Sequence, residues 1–108
     1  MILNANERDP MLVESPVALV AGVTTTIAIR YWGTPSAGSV TIKRILPDGE
    51  SADLSATIFP AGTITYGSST MTLKPMTALT GGYTYILRPY ATVGGDVTVK
   101  KCYFNVQT

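Results

Sequence analysis

Two adjacent glycines, Gly94 and Gly95, stand between two segments in which apolar and polar residues alternate. Two-residue loops are the commonest connection between antiparallel strands, and they require residues that accept positive φ. If these glycines form such a loop, Val93 lies opposite Asp96, and the pairing of every residue further back is set. Directly opposed residues share a face of the sheet. The loop alone therefore predicts one apolar face, made of Tyr83, Tyr85, Leu87, Cys102, Phe104 and Val106.

The other face of this hairpin pairs Ile86 with Tyr103, Arg88 with Lys101, and Tyr90 with Val99. A solvated face would carry mainly Thr, Ser, Lys and Glu, whereas this one surrounds two basic residues with large apolar side chains. One interpretation is a bulge near Lys100 and Lys101, which would return Val97 and Val99 to the core; Pro89, a poor fit inside a central strand, favours such an irregularity. The other is an apolar, basic-rimmed patch that a partner covers.

In the rest of the chain, segments of alternating apolar and polar residues are again separated by turns. This pattern predicts an all-β protein. Turn signals recur about every ten residues, and helical periodicity is absent. Charged residues make up only 14% of the 108 residues; Thr, Ser, Gly and Val take their place, which is a composition typical of sheets. We expect strands at 24–32, 39–46 and 52–59, a loop at 33–38, a turn at Pro47–Glu50 and a strand end or bulge after Arg44. Ile27, Ile29, Tyr31, Val40, Ile42, Met71 and Leu73 are expected to face inward.

The segment from Leu79 to Val106 resembles the end of a bacterial immunoglobulin-like domain. In that family a leucine, a glycine turn and an alternating strand that begins with tyrosine lead through a short loop to the last strand; Leu79, Gly82, Tyr83 and Tyr85 match. The resemblance implies an Ig-like β-sandwich of about seven antiparallel strands. It also implies that Tyr83 or Tyr85 forms a tyrosine corner, with its hydroxyl bonded to the backbone at the bend. Without a cysteine pair, an antibody-type domain is not implied.

Most reaction chemistry is disfavoured by composition. The chain has no histidine, which removes Ser-His and Cys-His pairs and histidine metal sites. Asp48, Glu50 and Asp53 follow a turn without a calcium-loop framework and are expected to be solvated. The net charge of +1 provides no field for nucleic acid or an anionic membrane. We therefore expect no enzyme activity, no cofactor, no metal, and neither a nucleic-acid nor a membrane partner.

A single sandwich without reaction chemistry or a signal peptide is most simply an assembly part. Immunoglobulin-like domains of this kind occur on tailed-bacteriophage particles, so the resemblance implies a capsid decoration or cement protein located in the virion. We expect residues 1–14 to form an extended arm and residues 15–108 the sandwich, with the major capsid protein or another virion protein as partner and many copies per assembly. The expected contact residues are Ile2, Leu3, Ile86, Arg88, Tyr90, Val99, Lys101 and Tyr103.

Glu7, Asp9 and Glu14 on the arm could complement basic residues of a neighbouring copy. The alternative function, from a different class, is a carbohydrate- or receptor-binding module of a tail fibre or cell surface. It requires an exposed aromatic platform, for which Trp32 with Tyr31 is the candidate, although Trp32 is expected to be partly buried.

Overall fold

The computed structural model describes residues 1–77 and 79–108, which form two β-sheets and one helical turn. The elements are β1 Ile2–Asn4, β2 Val17–Val20, β3 Ala28–Arg30, β4 Pro35–Leu46, β5 Gly49–Glu50, α1 Ser55–Ile58, β6 Thr65–Tyr66, β7 Thr70–Thr72, β8 Thr84–Val93, β9 Asp96–Val99 and β10 Cys102–Gln107. One sheet has the strand order β1-β3-β7-β6; the larger has the order β2-β10-β8-β4-β5, with β9 also paired to β8.

The fold is all-β, as predicted, but the pairing is not purely antiparallel. β1 runs parallel to β3, and β2 runs parallel to β10. One core lies between the sheets, because its buried residues come from both, among them Ile29 and Met71 of the smaller sheet and Leu87 and Phe104 of the larger. The predicted inward residues are buried or packed against this core.

The predicted hairpin and its register are confirmed. Gly94 and Gly95 have φ of 59° and 86° and form the two-residue loop between β8 and β9. Val93 pairs with Asp96, and the same register continues to Leu87 with Cys102. The inner face is buried except at its end, where Tyr83 is exposed.

The predicted alternative of a bulge near Lys100 and Lys101 is wrong. The ladder is interrupted there without a change of register, so Val97 and Val99 stay outside the core. The Lys100 N–H donates to the Pro89 carbonyl at 3.1 Å, but proline has no N–H to return the bond. That missing donor separates β9 from β10. The bulge of this sheet lies instead between Ser36 and Ser39.

Three local predictions are wrong. A strand end or bulge was expected after Arg44, but β4 continues through that point to Leu46 without a register shift. Residues 33–38 were expected to be a loop, but β4 begins at Pro35, and Ala37 with φ of 50° forms part of the bulge that lets the strand continue. Residues 52–59 were expected to be a strand, but 55–58 form α1. Asp53 explains the change, because its carboxylate accepts hydrogen bonds from the backbone N–H groups of Ser55 and Ile42, both at 3.1 Å. It thereby starts the turn and ties it to β4.

Residues 1–14, expected to be an arm lying on a partner, pack into the chain's own core. Leu3 is 1% exposed and belongs to the core, as does Leu12, whereas Ile2 is 46% exposed. The expected role of Leu3 as a partner anchor is therefore corrected: its side chain is already covered, because β1 has joined the smaller sheet. Glu14 holds this segment, since its carboxylate accepts hydrogen bonds from the Asn4 backbone N–H at 2.6 Å and from the Asn4 side-chain amide at 2.7 Å.

Acid is expected to loosen this attachment. Burial raises the pKa of Glu14, but the hydrogen bonds from Asn4 outweigh burial and lower the pKa below its usual value. A carboxylate with a lowered folded-state pKa stabilises the fold above its unfolded pKa, and this contribution is lost as pH falls through the folded pKa. The protection of the Asn4 amide, that is, its intrinsic exchange rate divided by its observed rate at the same pH, should therefore decrease below about pH 4. In Glu14→Gln, which has no proton to gain, this decrease should be absent; an identical acid response would contradict the assignment to Glu14.

Candidate functional site: the outer face of the larger sheet

The candidate site is the surface of the larger sheet that faces away from the core. β8 lies at its centre, with β4 on one side and β9 and β10 on the other. Because side chains alternate along a strand, the residues that follow the buried positions project outward together. We call the following residues the outer face: Lys43, Ile86, Arg88, Tyr90, Val97, Val99, Lys101 and Tyr103.

A bidentate ion pair organises the charges of the outer face. Arg88 donates to both carboxylate oxygens of Glu50, at 3.0 and 2.9 Å. These hydrogen bonds lower the pKa of Glu50, and the positive charges of Lys43 and Lys101 contribute to the same shift. The same two hydrogen bonds raise the pKa of Arg88. One carboxylate thus stands among three cations, which offsets the repulsion predicted between Arg88 and Lys101 and leaves the surface basic.

The apolar residues of the outer face differ in exposure. Ile86 is 1% exposed although it lies outside the core cluster; its cross-strand neighbours are Tyr103 and Lys43. Tyr103 and Tyr90 are half-buried, whereas Val99 is 46% and Val97 75% exposed. Ile86 is therefore covered and packs beside Tyr103 rather than offering surface to a partner. The apolar surface that a partner can reach is concentrated at Val97 and Val99.

The structure brings together six of the eight predicted contact residues. Ile86, Arg88, Tyr90, Val99, Lys101 and Tyr103 share the outer face, whereas β1, which holds Ile2 and Leu3, lies in the other sheet.

Sequence reasoning missed three members of this site. Lys43 pairs with Ile86, and Glu50 reaches Arg88 from β5 although it was expected to be solvated. A signal for Glu50 exists in the sequence: a two-residue turn at Pro47–Asp48 places it opposite Ile45 on the adjacent strand. Val97 was placed on this face but was not counted among the contacts.

Trp32 forms a second, smaller feature at the edge of the molecule. It was expected to be partly buried but is 38% exposed, among the exposed apolar residues, and its ring meets Tyr31 edge to face at 5.8 Å between centroids. Tyr31 is buried, and burial raises the pKa of its hydroxyl to about 12. The ammonium of Lys100, a residue only 6% exposed, lies 5.0 Å from the Trp32 ring centroid and donates to the carbonyls of Glu7 and Asp9. These two aromatic residues therefore do not form an exposed platform for a sugar.

A cleft of about 350 Å³ opens between β4 and α1. Lys74 is the ionisable residue of its lining, which also includes Val40, Phe59 and Ile64, so the lining holds no acid–base pair. The single thiol, Cys102, is fully buried, and burial raises its pKa to about 11, so it stays protonated at neutral pH.

Within residues 1–77 and 79–108, no group of three or more carboxylate or thiol side chains is placed to hold a metal ion. In the same part of the chain, no helix is long and apolar enough to cross a bilayer.

Comparisons with known proteins were made for the whole chain. No protein-family model matches it, and a search of curated proteins finds no match. What the chain does must therefore be inferred from the outer face itself.

Proposed function

We propose that this chain is a non-enzymatic structural protein of a bacteriophage particle, a capsid decoration protein that docks through its outer face. The observation that carries the proposal is the apolar, basic-rimmed surface of the outer face. Val97 and Val99 are exposed beside Tyr90 and Tyr103. Exposed apolar residues grouped within a polar rim are characteristic of protein interaction sites.

The charges of the outer face favour a different chain as the partner. Lys43, Arg88 and Lys101 surround the single carboxylate of Glu50, so two outer faces pressed together would oppose like charges. An acidic surface of another protein, the major capsid protein in this proposal, would be attracted. Many copies could then cover a particle, each contacting its own capsid subunit, with the virion as the location.

The Ig-like assignment belongs to the same proposal and has one local support. The Tyr85 hydroxyl accepts a hydrogen bond from the Thr80 backbone N–H at 3.0 Å, which is the tyrosine-corner contact implied for Tyr83 or Tyr85. Because the same bond can arise in any sharp turn before a strand, it supports the family without establishing it.

Charge reversal tests the docking face. Lys101→Glu is expected to weaken binding by about tenfold or more, because it turns a cation of the rim into an anion. Arg30→Glu is the matched control: Arg30 is exposed on β3, in the other sheet. The measurement is co-sedimentation with purified heads, lacking this protein, of a phage whose structural genes lie beside the gene for this chain.

Three results would contradict the proposal. The first is failure of the wild-type protein to sediment with heads, and the second is binding of both variants at the wild-type level. A glycan-array signal that is lost in Trp32→Ala would favour the carbohydrate-binding alternative instead.

A further inference from the structure

The strand β9 has a free edge with unused hydrogen-bonding groups. In an antiparallel ladder, residues point their N–H and C=O groups toward the partner strand at every second position. The Lys100 N–H donates to the Pro89 carbonyl, so Lys100, Thr98 and Asp96 point toward β8. Val97 and Val99 therefore point their N–H and C=O groups away from it. In the described part of the chain, β9 pairs with β8 alone, which leaves these four groups without a backbone partner.

The N-terminal segment ends this free edge on one side. The Lys101 N–H donates to the Pro10 carbonyl, and the Leu12 N–H donates to the Lys101 carbonyl, both at 2.9 Å. On the other side the edge ends at the turn of Gly94 and Gly95. The open stretch is thus Asp96–Val99, and its two outer-face side chains are Val97, which is 75% exposed, and Val99, which is 46% exposed.

We propose that β9 receives an extended segment of the capsid partner as an added strand of the larger sheet. Strand addition to a free edge uses main-chain hydrogen bonds for affinity and alternate side chains for specificity. The added strand would place β-branched or other apolar residues beside Val97 and Val99, and an acidic residue near Lys101. This inference rests on the proposed function, and it specifies how the partner is held.

A second copy of the chain fits the edge less well. Antiparallel pairing about Thr98 would use all four free groups of both copies, since Val97 of each would meet Val99 of the other. The same register would bring Asp96 of the second copy toward Pro10 and Asp9. That space is occupied by the N-terminal segment, whose Pro10 is bonded to Lys101 and whose Glu7 and Asp9 are exposed acids. Steric overlap and like charge both oppose this arrangement.

Proline at position 97 tests the added strand. Val97→Pro removes an outward N–H and leaves the bonds between β8 and β9 intact, because Val97 does not donate to β8; edge strands tolerate proline at such positions. Val97→Thr is the matched control, since it keeps the N–H and the β-branched shape. In co-sedimentation with the same heads, Val97→Pro should bind at least tenfold more weakly than wild type, and Val97→Thr within about threefold.

Amide hydrogen exchange of the wild type gives a second readout that does not depend on the folding of a variant. The Val97 and Val99 amides should exchange fast in the free protein and at least tenfold more slowly on heads. Unchanged exchange on heads, or equal loss of binding in both Val97 variants, would overturn the added strand. If both variants bind normally while Lys101→Glu does not, the docking face stands and the strand addition falls. Protection that grows with protein concentration without heads would assign the edge to a second copy.

Discussion

Replacing Leu3 by alanine is expected to lower the free energy of unfolding by about 2–5 kcal/mol, because truncating a buried leucine removes apolar contacts and leaves a cavity. Leu3 lies in the core shared by both sheets and is 1% exposed. β1 has only 3 residues, so few other contacts of this strand can offset the packing lost at Leu3. Urea unfolding monitored by circular dichroism measures the effect, which should appear as a lower midpoint with an unchanged slope.

Ile2→Ala is the matched control for this prediction. Ile2 precedes Leu3 on the same strand but is half-exposed, so its truncation is expected to change stability by less than about 0.5 kcal/mol, as exposed positions usually do. Similar losses from the two substitutions would show that the N-terminal segment does not occupy the core as described. If neither substitution lowered the free energy of unfolding, the N-terminal segment would lie outside the core, as expected for an arm that binds a partner.

Replacing Tyr85 by phenylalanine is expected to cost about 1–3 kcal/mol of stability, since it leaves hydrogen-bond donors without their acceptor. The Tyr85 hydroxyl oxygen accepts from the Thr80 backbone N–H at 3.0 Å and from the Arg44 guanidinium at 3.0 and 3.3 Å. Burial raises the pKa of Tyr85, but these donors outweigh burial and lower it. The hydroxyl therefore joins the turn before β8 to the end of β4.

Tyr83→Phe is the matched control, since it removes a neighbouring tyrosine hydroxyl while the hydrogen bonds of the Tyr85 hydroxyl remain. The Arg44 guanidinium lies 4.3 Å from the Tyr83 ring centroid, and phenylalanine keeps that ring. Tyr83 is exposed, so loss of its hydroxyl should change the urea midpoint little. If Tyr85→Phe proved as stable as Tyr83→Phe, the hydroxyl of Tyr85 would have no structural role, and the support that it lends to the Ig-like assignment would disappear.

The part of the fold that could be predicted is the part governed by local signals. Gly94 and Gly95 determine a turn, the turn determines a register, and the register sorts Leu87 inward and Tyr90 outward. No long-range information was needed, because the two strands are adjacent in sequence. The same locality explains the turn predicted at Pro47–Glu50, in which Pro47 and Asp48 form the loop and Gly49 and Glu50 already belong to β5.

Pairings between distant segments could not be predicted in this way. Nothing near Leu3 in the sequence shows that β1 will pair with Ala28–Arg30, so this apolar segment was interpreted as an arm for a partner. The alternation of Leu54, Ala56 and Ile58 is compatible with a strand, but Asp53 bonds to Ser55 and Ile42 and favours a helical turn. In the candidate site, the ion pair of Glu50 was also missed because it joins distant segments: its partner Arg88 lies 38 residues away in the chain.

The parallel pairing of Val17–Val20 with Phe104–Gln107 has a consequence for biosynthesis. β2 precedes β10 in the chain, and it has no neighbour in its sheet until β10 has also left the exit tunnel. Contacts between segments so distant along the chain form slowly, because a long loop must close before they can stabilise anything. The nascent chain must therefore carry β2 unpaired until β10 has been made, and β10 then joins β2 to the larger sheet.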